Sequence, residues 1–346
     1  MPLYTYTIAE PEKWDEVVRS FASHDVYYLS GYVKAFQIHG DGQPLLFYYE
    51  DADIRGINVV MKRDIAADSF FGDKITPGTC FDFVSPYGYG GWLLEGNGDS
   101  APLFAAYEAW CVAHNIVSEF VRYHPVLSNA EATRPFYDVM MLGNTISLDL
   151  SSQEVIWANL TSKNRNMVRK AQKSGVKIHR GQFPDIYKVF REIYNLTMDS
   201  DNAKPYYYFS EAFYDSICDD LPEEAQVFWA EYEGKTIAAS IMLSTNGYMS
   251  YHLSGSLREY QHMAPTNLLL YKAALWGYRN GCRSLHLGGG VGSKEDSLFK
   301  FKSSFNRNDR LQFAIGKKVF LPDAYRELTT MKNPEEAGNF FPGYRA

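Results

Sequence analysis

The sequence predicts a mixed α/β (α+β) fold in two tandem domains of one kind, spanning 1–150 and 151–346. Three observations carry that reading. The chain has 346 residues, enough for two domains of ordinary size. Hydrophobic residues make up 46% and charged residues 22%, a balance typical of a globular protein. The order strand, strand, strand, helix, strand is read twice; the halves share this pattern but little residue-level similarity.

In the first half, PLLFYYE (44–50) and GINVVMK (56–62) read as strands paired around a polar turn. CFDFVSPYGYGGWLLE (80–95) is a strand running into a glycine and tyrosine loop. Residues 101–115 place Leu103, Tyr107, Trp110 and Cys111 at helical spacing, and SEFVRYHP (118–125) is a further strand.

The second half opens on a basic helix, 152–174. Ser151 and Glu154 suggest a capping box, and Trp157, Leu160, Met167, Val168 and Ala171 line one face. Gly175 is its stop signal. A second helix covers roughly 184–198. AQVFWAEYE, TIAASIMLS and YMSYHLSGS then form a meander, the last turn carrying Asn246-Gly247. Pro265 opens a helix that Gly281 ends, CRSLHLG is the strand after it, and 310–321 is a late strand.

Composition excludes several classes. A net charge of −7 argues against non-specific coating of nucleic acid, so no DNA partner is expected. There is no apolar run of membrane-spanning length. The N-terminus lacks the basic start and apolar core of a signal peptide, so a cytoplasmic protein is expected. Four scattered cysteines read as reduced core residues. The 26 Tyr and 22 Phe serve either an aromatic core or a ring-lined cleft. No metal-ligand spacing, hydrolase elbow or P-loop is present.

The segment most suggestive of a site is HLGGGVGSKEDSLFKFKSSFN (286–306). A short strand stops at Gly288-Gly289-Gly290, where a ligand could approach bare backbone. Phe299, Phe301 and Phe305 can bury their rings and hold Lys300 or Lys302 in place. Residues 161–180 carry seven Lys/Arg and no acid, with Arg165, Arg169 and Lys173 on one helix face, either a phosphate grip or a solvated surface. The loop Ser85-Pro86-Tyr87-Gly88-Tyr89-Gly90-Gly91-Trp92 is either a tight turn or a cover for an acceptor. The turn 258–265 contains no glycine, which speaks against a pyrophosphate cradle there and for Thr266 or Asn267 as a simple cap. His252 and His286 sit on strands beside these loops and are candidate bases.

Together these motifs resemble the Fem family of peptidoglycan aminoacyltransferases. Trp157-x-x-Leu160 followed by Lys163-Asn164-Arg165-Asn166-x-x-Arg169-Lys170-Ala171-x-x-Ser174-Gly175-Val176 is similar to that family's basic helix. Tyr251 to Ser256, Ala264-Pro265-x-Asn267-Leu268, Leu287-Gly288-Gly289 and Phe301-Lys302-x-x-Phe305 follow in the family's order. Pro86 to Gly91 and Phe120 to Pro125 resemble its first half. Two departures stand out: His286 replaces the usual Asp, and Phe305 is followed by Asn306 rather than Gly.

The resemblance implies tandem GNAT-like domains without a coiled-coil arm. It implies transfer of an acyl or aminoacyl group to an amine on a UDP- or lipid-linked precursor. The co-substrate is acyl-CoA or a charged tRNA, with no permanently bound cofactor. Lys302 is the expected cationic donor near the transferred carbonyl and Tyr251 a second donor; His252 or His286 takes the proton. Arg165 and Arg169 hold phosphate, while Tyr87, Tyr89, Gly288 and Gly289 contact substrate. Two further readings are an acyl-CoA-dependent N-acetyltransferase of an amino-sugar nucleotide and a non-catalytic glycan- or nucleotide-binding module.

Overall fold

A computed structural model describes residues 3–308, 310–332, 338 and 340–346. The chain runs β1 (Leu3–Tyr6), α1 (Pro11–Ser20), α2 (Ser30–His39), β2 (Gln43–Glu50), β3 (Ile54–Asp64), β4 (Phe81–Val84), β5 (Leu93–Gly96), α3 (Ala101–Ala113), β6 (Ile116–Arg122) and β7 (Asp138–Asp149). It continues through α4 (Gln153–Asn159), α5 (Ser162–Lys173), β8 (Lys177–Gly181), α6 (Pro184–Ser200), α7 (Glu211–Asp220), β9 (Ala225–Tyr232), β10 (Lys235–Thr245) and β11 (Tyr248–Ser256). α8 (Pro265–Arg279), β12 (Ser284–Gly288), α9 (Ser297–Ser303), β13 (Leu311–Val319) and α10 (Pro322–Lys332) complete it.

Two compact units result: Met1–Leu142 with Phe313–Ala346, and Gly143–Gln312. The expected second domain ran on to 346, and the structure corrects this. β13 pairs antiparallel with β6, from Ile315 opposite Arg122 to Val319 opposite Ser118. Leu328 of α10 packs with Ile65, Phe71 and Val117. The partner of a terminal strand is a long-range choice that local periodicity does not encode.

In the first unit the strands lie in the order β1-β2-β3-β4-β6-β13, with β5 against β3. β4 and β6 are parallel and the other pairs antiparallel. α3 lays Leu103, Phe104, Tyr107 and Cys111 on Phe47, Val60, Phe83 and Val121; of the face its spacing predicts, Trp110 is only partly buried. Gly56 permits this approach, since a Cβ there would come within 2.7 Å of Leu94 and 2.8 Å of Leu103.

In the second unit the order is β7-β12-β11-β10-β9-β8, and only β11 and β12 run parallel. The Asn246-Gly247 turn has both residues at positive φ, 50° and 77°, as a two-residue hairpin requires. α8 buries Leu268, Leu269, Leu270, Ala273 and Ala274 against a core shared with Val168 and Ala171 of α5. Each buried leucine contributes roughly 2 kcal/mol by leaving water.

The single basic helix expected over 152–174 is two helices. Ser152, rather than Ser151, caps α4 by accepting from Val155 N at 3.1 Å. Leu160 is extended, and Thr161 starts α5 by accepting from Asn164 N at 3.2 Å. A second cap within the apolar stripe wins over continued periodicity, because it satisfies amides that a new helix leaves open.

Candidate functional site: a forked strand pair

The site is built where β11 and β12 separate. Their parallel pairing covers Tyr248 with Ser284, Met249 with Leu285 and Ser250 with His286, and ends there although β11 continues to Ser256. At this level both strands carry an extra residue. His252 is the additional residue of β11 where its register against β10 shifts, and Leu287 is that of β12 where its register against β7 shifts. A bulge bends and twists its strand, so two bulges side by side drive neighbours apart. Beyond that point no ladder pairing joins Tyr251–Leu253 to Leu287–Gly289 among the described residues.

α8 begins shortly beyond one arm of this fork. Its first residue is Pro265, and its cap, Ala264, stands in the left-handed region at φ 56° with no side-chain cap bond. The expected caps do not act as such: Asn267 instead donates through Nδ2 to Asn164 Oδ1 at 2.8 Å. The turn without glycine reaches the helix by a 3₁₀ turn over Arg258–Met263 and the strained Ala264. No side chain caps the first-turn amides, and the helix dipole there favours an anion.

On the other arm, α9 carries Lys302. Asp296 caps this helix, accepting from Phe299 N at 2.8 Å, and also takes Val291 N at 3.0 Å. Phe299 and Phe305 are buried beneath, as their spacing predicts. Lys302 is 9% exposed and donates from Nζ to the Gly289 carbonyl at 2.8 Å. Burial pushes its amine down to about 8, while the Asp296 carboxylate pulls it upward. An ammonium has three donors, and one is used on protein among the described residues.

Tyr251 opens the opposite arm. Its hydroxyl is hydrogen-bonded with Ser254 and Ser240, whose own hydroxyls lie 2.9 Å apart. Burial raises its pKa, so the phenol keeps its proton and acts as a donor. His252 is different. Burial drops its imidazole to about 3, which keeps it neutral and makes it a poor proton acceptor near pH 7. His286 is buried mid-strand opposite Ser250 and Ser147, while its neighbours Leu285 and Leu287 enter the core.

The other candidate site residues make contacts within the protein. Arg165 donates to the carbonyls of Leu160 at 2.6 Å, Ala158 at 3.4 Å and Trp157 at 3.5 Å, closing the C-terminal end of α4. Arg169 lies over the Trp157 ring at 5.1 Å. Gly288 has φ 75°, a Cβ on Gly289 would come within 2.9 Å of Asn144 O, and one on Gly290 within 2.5 Å of Asp296. In the first unit, Tyr87 stacks on Phe36 at 5.2 Å, and Tyr89 packs against Tyr27, His124 and Phe313.

Sequence reasoning missed Asp296, the Ser240 and Ser254 pair, and the Asn164 and Asn267 bridge. Asp296 had a signal, a cap residue just before an aromatic-basic run. The serine pair did not, because counting back from the hairpin turn sets Ser240 opposite Leu253, and only the bulge at His252 moves Ser254 into place. Among the described residues no cluster of His, Cys, Asp and Glu could hold a metal, and no helix is long and apolar enough to cross a membrane.

Residues 160–302 match the acetyltransferase (GNAT) domain family. Among solved structures the chain is similar to FemX, at 12% identity over 94% of this chain and 99% of that one, with a TM-score of 0.66. It is similar to the C-terminal domain of a putative lysylphosphatidylglycerol synthetase from Agrobacterium fabrum (13% identity, 94% and 96% covered, TM-score 0.58). L-PGS from Bacillus licheniformis gives 15% identity, 89% and 91% covered, and a TM-score of 0.57. At these identities the likeness is one of fold. No curated protein matches the sequence.

Proposed function

We propose that this protein is an acyltransferase that forms an amide on an amine-bearing, phosphorylated cell-envelope or surface-polysaccharide precursor. The observation that carries the reading is the fork itself, with a buried ammonium at one arm and a protonated phenol at the other. The uncapped N-terminus of α8 favours acyl-CoA as the donor, because its amides suit a pyrophosphate. The FemX and lysylphosphatidylglycerol synthetase likenesses support an aminoacyl group as the other choice for what is transferred.

In this reaction a neutral amine attacks the activated carbonyl, and the carbonyl electron pair moves onto oxygen. Lys302, cationic below about pH 8, and Tyr251 are the donors that meet the developing oxyanion. When the tetrahedral centre collapses, the bond to the thiol or hydroxyl leaving group breaks and that group takes the amine's proton. Such a route needs no strong protein base, consistent with the low basicity of His252. Titration calorimetry of the full chain with acetyl-CoA and then with charged tRNA tests the reading. Binding of either donor, followed by transfer of a labelled acyl group to an amine, is the expected outcome. A folded chain that binds neither donor overturns the transferase reading.

A further inference from the structure

A cavity lies within the first unit, on the sheet face opposite α3. It has a volume of about 390 Å³ and is lined by Arg63, Arg122, Lys317 and Arg345 together with Phe120 and Phe341, among others. The strand register places these residues side by side: Val84 opposite Phe120, Lys317 opposite Phe120, and Ile315 opposite Arg122. The C-terminal segment supplies the outer wall, with Phe341 stacked on Tyr325 at 5.7 Å.

The charges do not cancel. Asp82, fully buried, accepts from Arg63 at 2.8 Å and from Arg345 at 2.9 Å, and Arg345 also lies 3.6 Å from Asp68. Two guanidinium groups thus face two carboxylates. Arg122 and Lys317 have no carboxylate partner among the described residues. Arg122 donates through Nη2 to the carbonyls of Ser85 at 3.4 Å and Pro86 at 3.2 Å, while its buried Nε has no acceptor among the described residues. Lys317 lies 5.8 Å from the centre of the Phe341 ring. Holding two uncompensated cations in a concave, ring-lined site costs free energy that an anion recovers. The volume is in the range of small-molecule sites, and rings beside paired cations suit a diphosphate bearing a flat or apolar group.

We propose that this pocket is a binding site for a diphosphate ester whose organic part rests on the phenylalanines. Neither the forked strands nor any of the acyl-transfer groups belong to it. The test is calorimetric titration of the full chain with uridine diphosphate, geranyl diphosphate and inorganic diphosphate. Both esters bind, more weakly as salt is added. Lys317→Ala weakens them about tenfold and Arg122→Gln at least as much. Phe341→Ala weakens the esters but leaves inorganic diphosphate unchanged. Tighter binding of the uridine ester assigns a nucleotide, and tighter binding of the geranyl ester a lipid-linked ligand. Lys302→Ala leaves all three affinities unchanged, which separates this site from the proposed transfer site. The proposal is overturned if no diphosphate ester binds the folded chain, or if Lys317→Ala, folded by circular dichroism, binds them as the unaltered protein does.

Discussion

The two units place a parallel strand pair at the same point of their sheets and finish it in opposite ways. In the second unit, β11 and β12 stop pairing after Ser250 and His286, and two bulges open the fork. In the first unit, the ladder of β4 and β6 continues into the loop that follows: Ser85 N donates to Phe120 O at 3.0 Å and Gly90 N to Arg122 O at 2.8 Å. Asn129 adds bonds to Gly90 O at 2.9 Å and Trp92 O at 3.2 Å, and the Tyr28 hydroxyl one to Gly91 O at 2.8 Å. The glycines here serve the seal, since a Cβ on Gly88 would strike the Tyr27 ring at 2.5 Å and one on Gly91 the Tyr123 ring at 2.8 Å. One fold plan thus yields an unpaired fork and a stitched one, and the difference lies in where backbone amides find partners.

Changes at the open fork have the largest expected effect on turnover. Lys302→Met keeps the buried stem and removes the ammonium; kcat falls about a hundredfold, the loss typical of one oxyanion donor, with an unaltered circular dichroism spectrum. The same group sets a pH limb. Because burial holds the amine near 8 against an ordinary 10.5, turnover falls as pH rises through about 8, and the methionine variant lacks this limb. Its effect on stability has the opposite sign. The unfolded amine holds its proton more tightly, so this group's contribution to stability grows between about pH 8 and 10.5, which pH-dependent urea unfolding reads out.

A change at the stitched fork touches stability instead. Asn129→Ala leaves buried carbonyls without donors and lowers unfolding free energy by about 2 kcal/mol, with donor affinity unchanged. A loss of acyl-CoA binding in that variant would break the contrast between the units. Tyr251→Phe, which removes a neutral donor from the open fork, lowers kcat about fivefold with little change in KM. Arg165→Ala has the smallest effect, about 1 kcal/mol of stability from the uncapped end of α4 and no change in substrate affinity. A KM rise without destabilisation would restore Arg165 as a phosphate contact.

What the sequence revealed follows from the range of the interactions involved. The meander of β9, β10 and β11, helices α3 and α8, and the aromatic anchors of α9 were legible because hairpin turns and apolar periodicity act over a few residues. α1, α2, α7 and α10 went unread, as did the return of β13 to the first unit. The burial of Lys302 follows a pattern written in the sequence, since Phe299 and Phe305 on either side of it are buried as well. The fork was not legible, because a bulge is one residue of register shift and leaves no compositional mark. The hydrogen bonds of Arg165 to the end of α4 were illegible for a related reason, since that helix end is created by the unforeseen break at Leu160.

The most direct test of the account is amide hydrogen exchange on the full chain with and without acetyl-CoA. The open fork predicts slowed exchange in 251–267 and 288–302 on adding the donor, and no change in 85–92. Protection confined to 85–92, or to neither region in a chain that binds the donor, would contradict it.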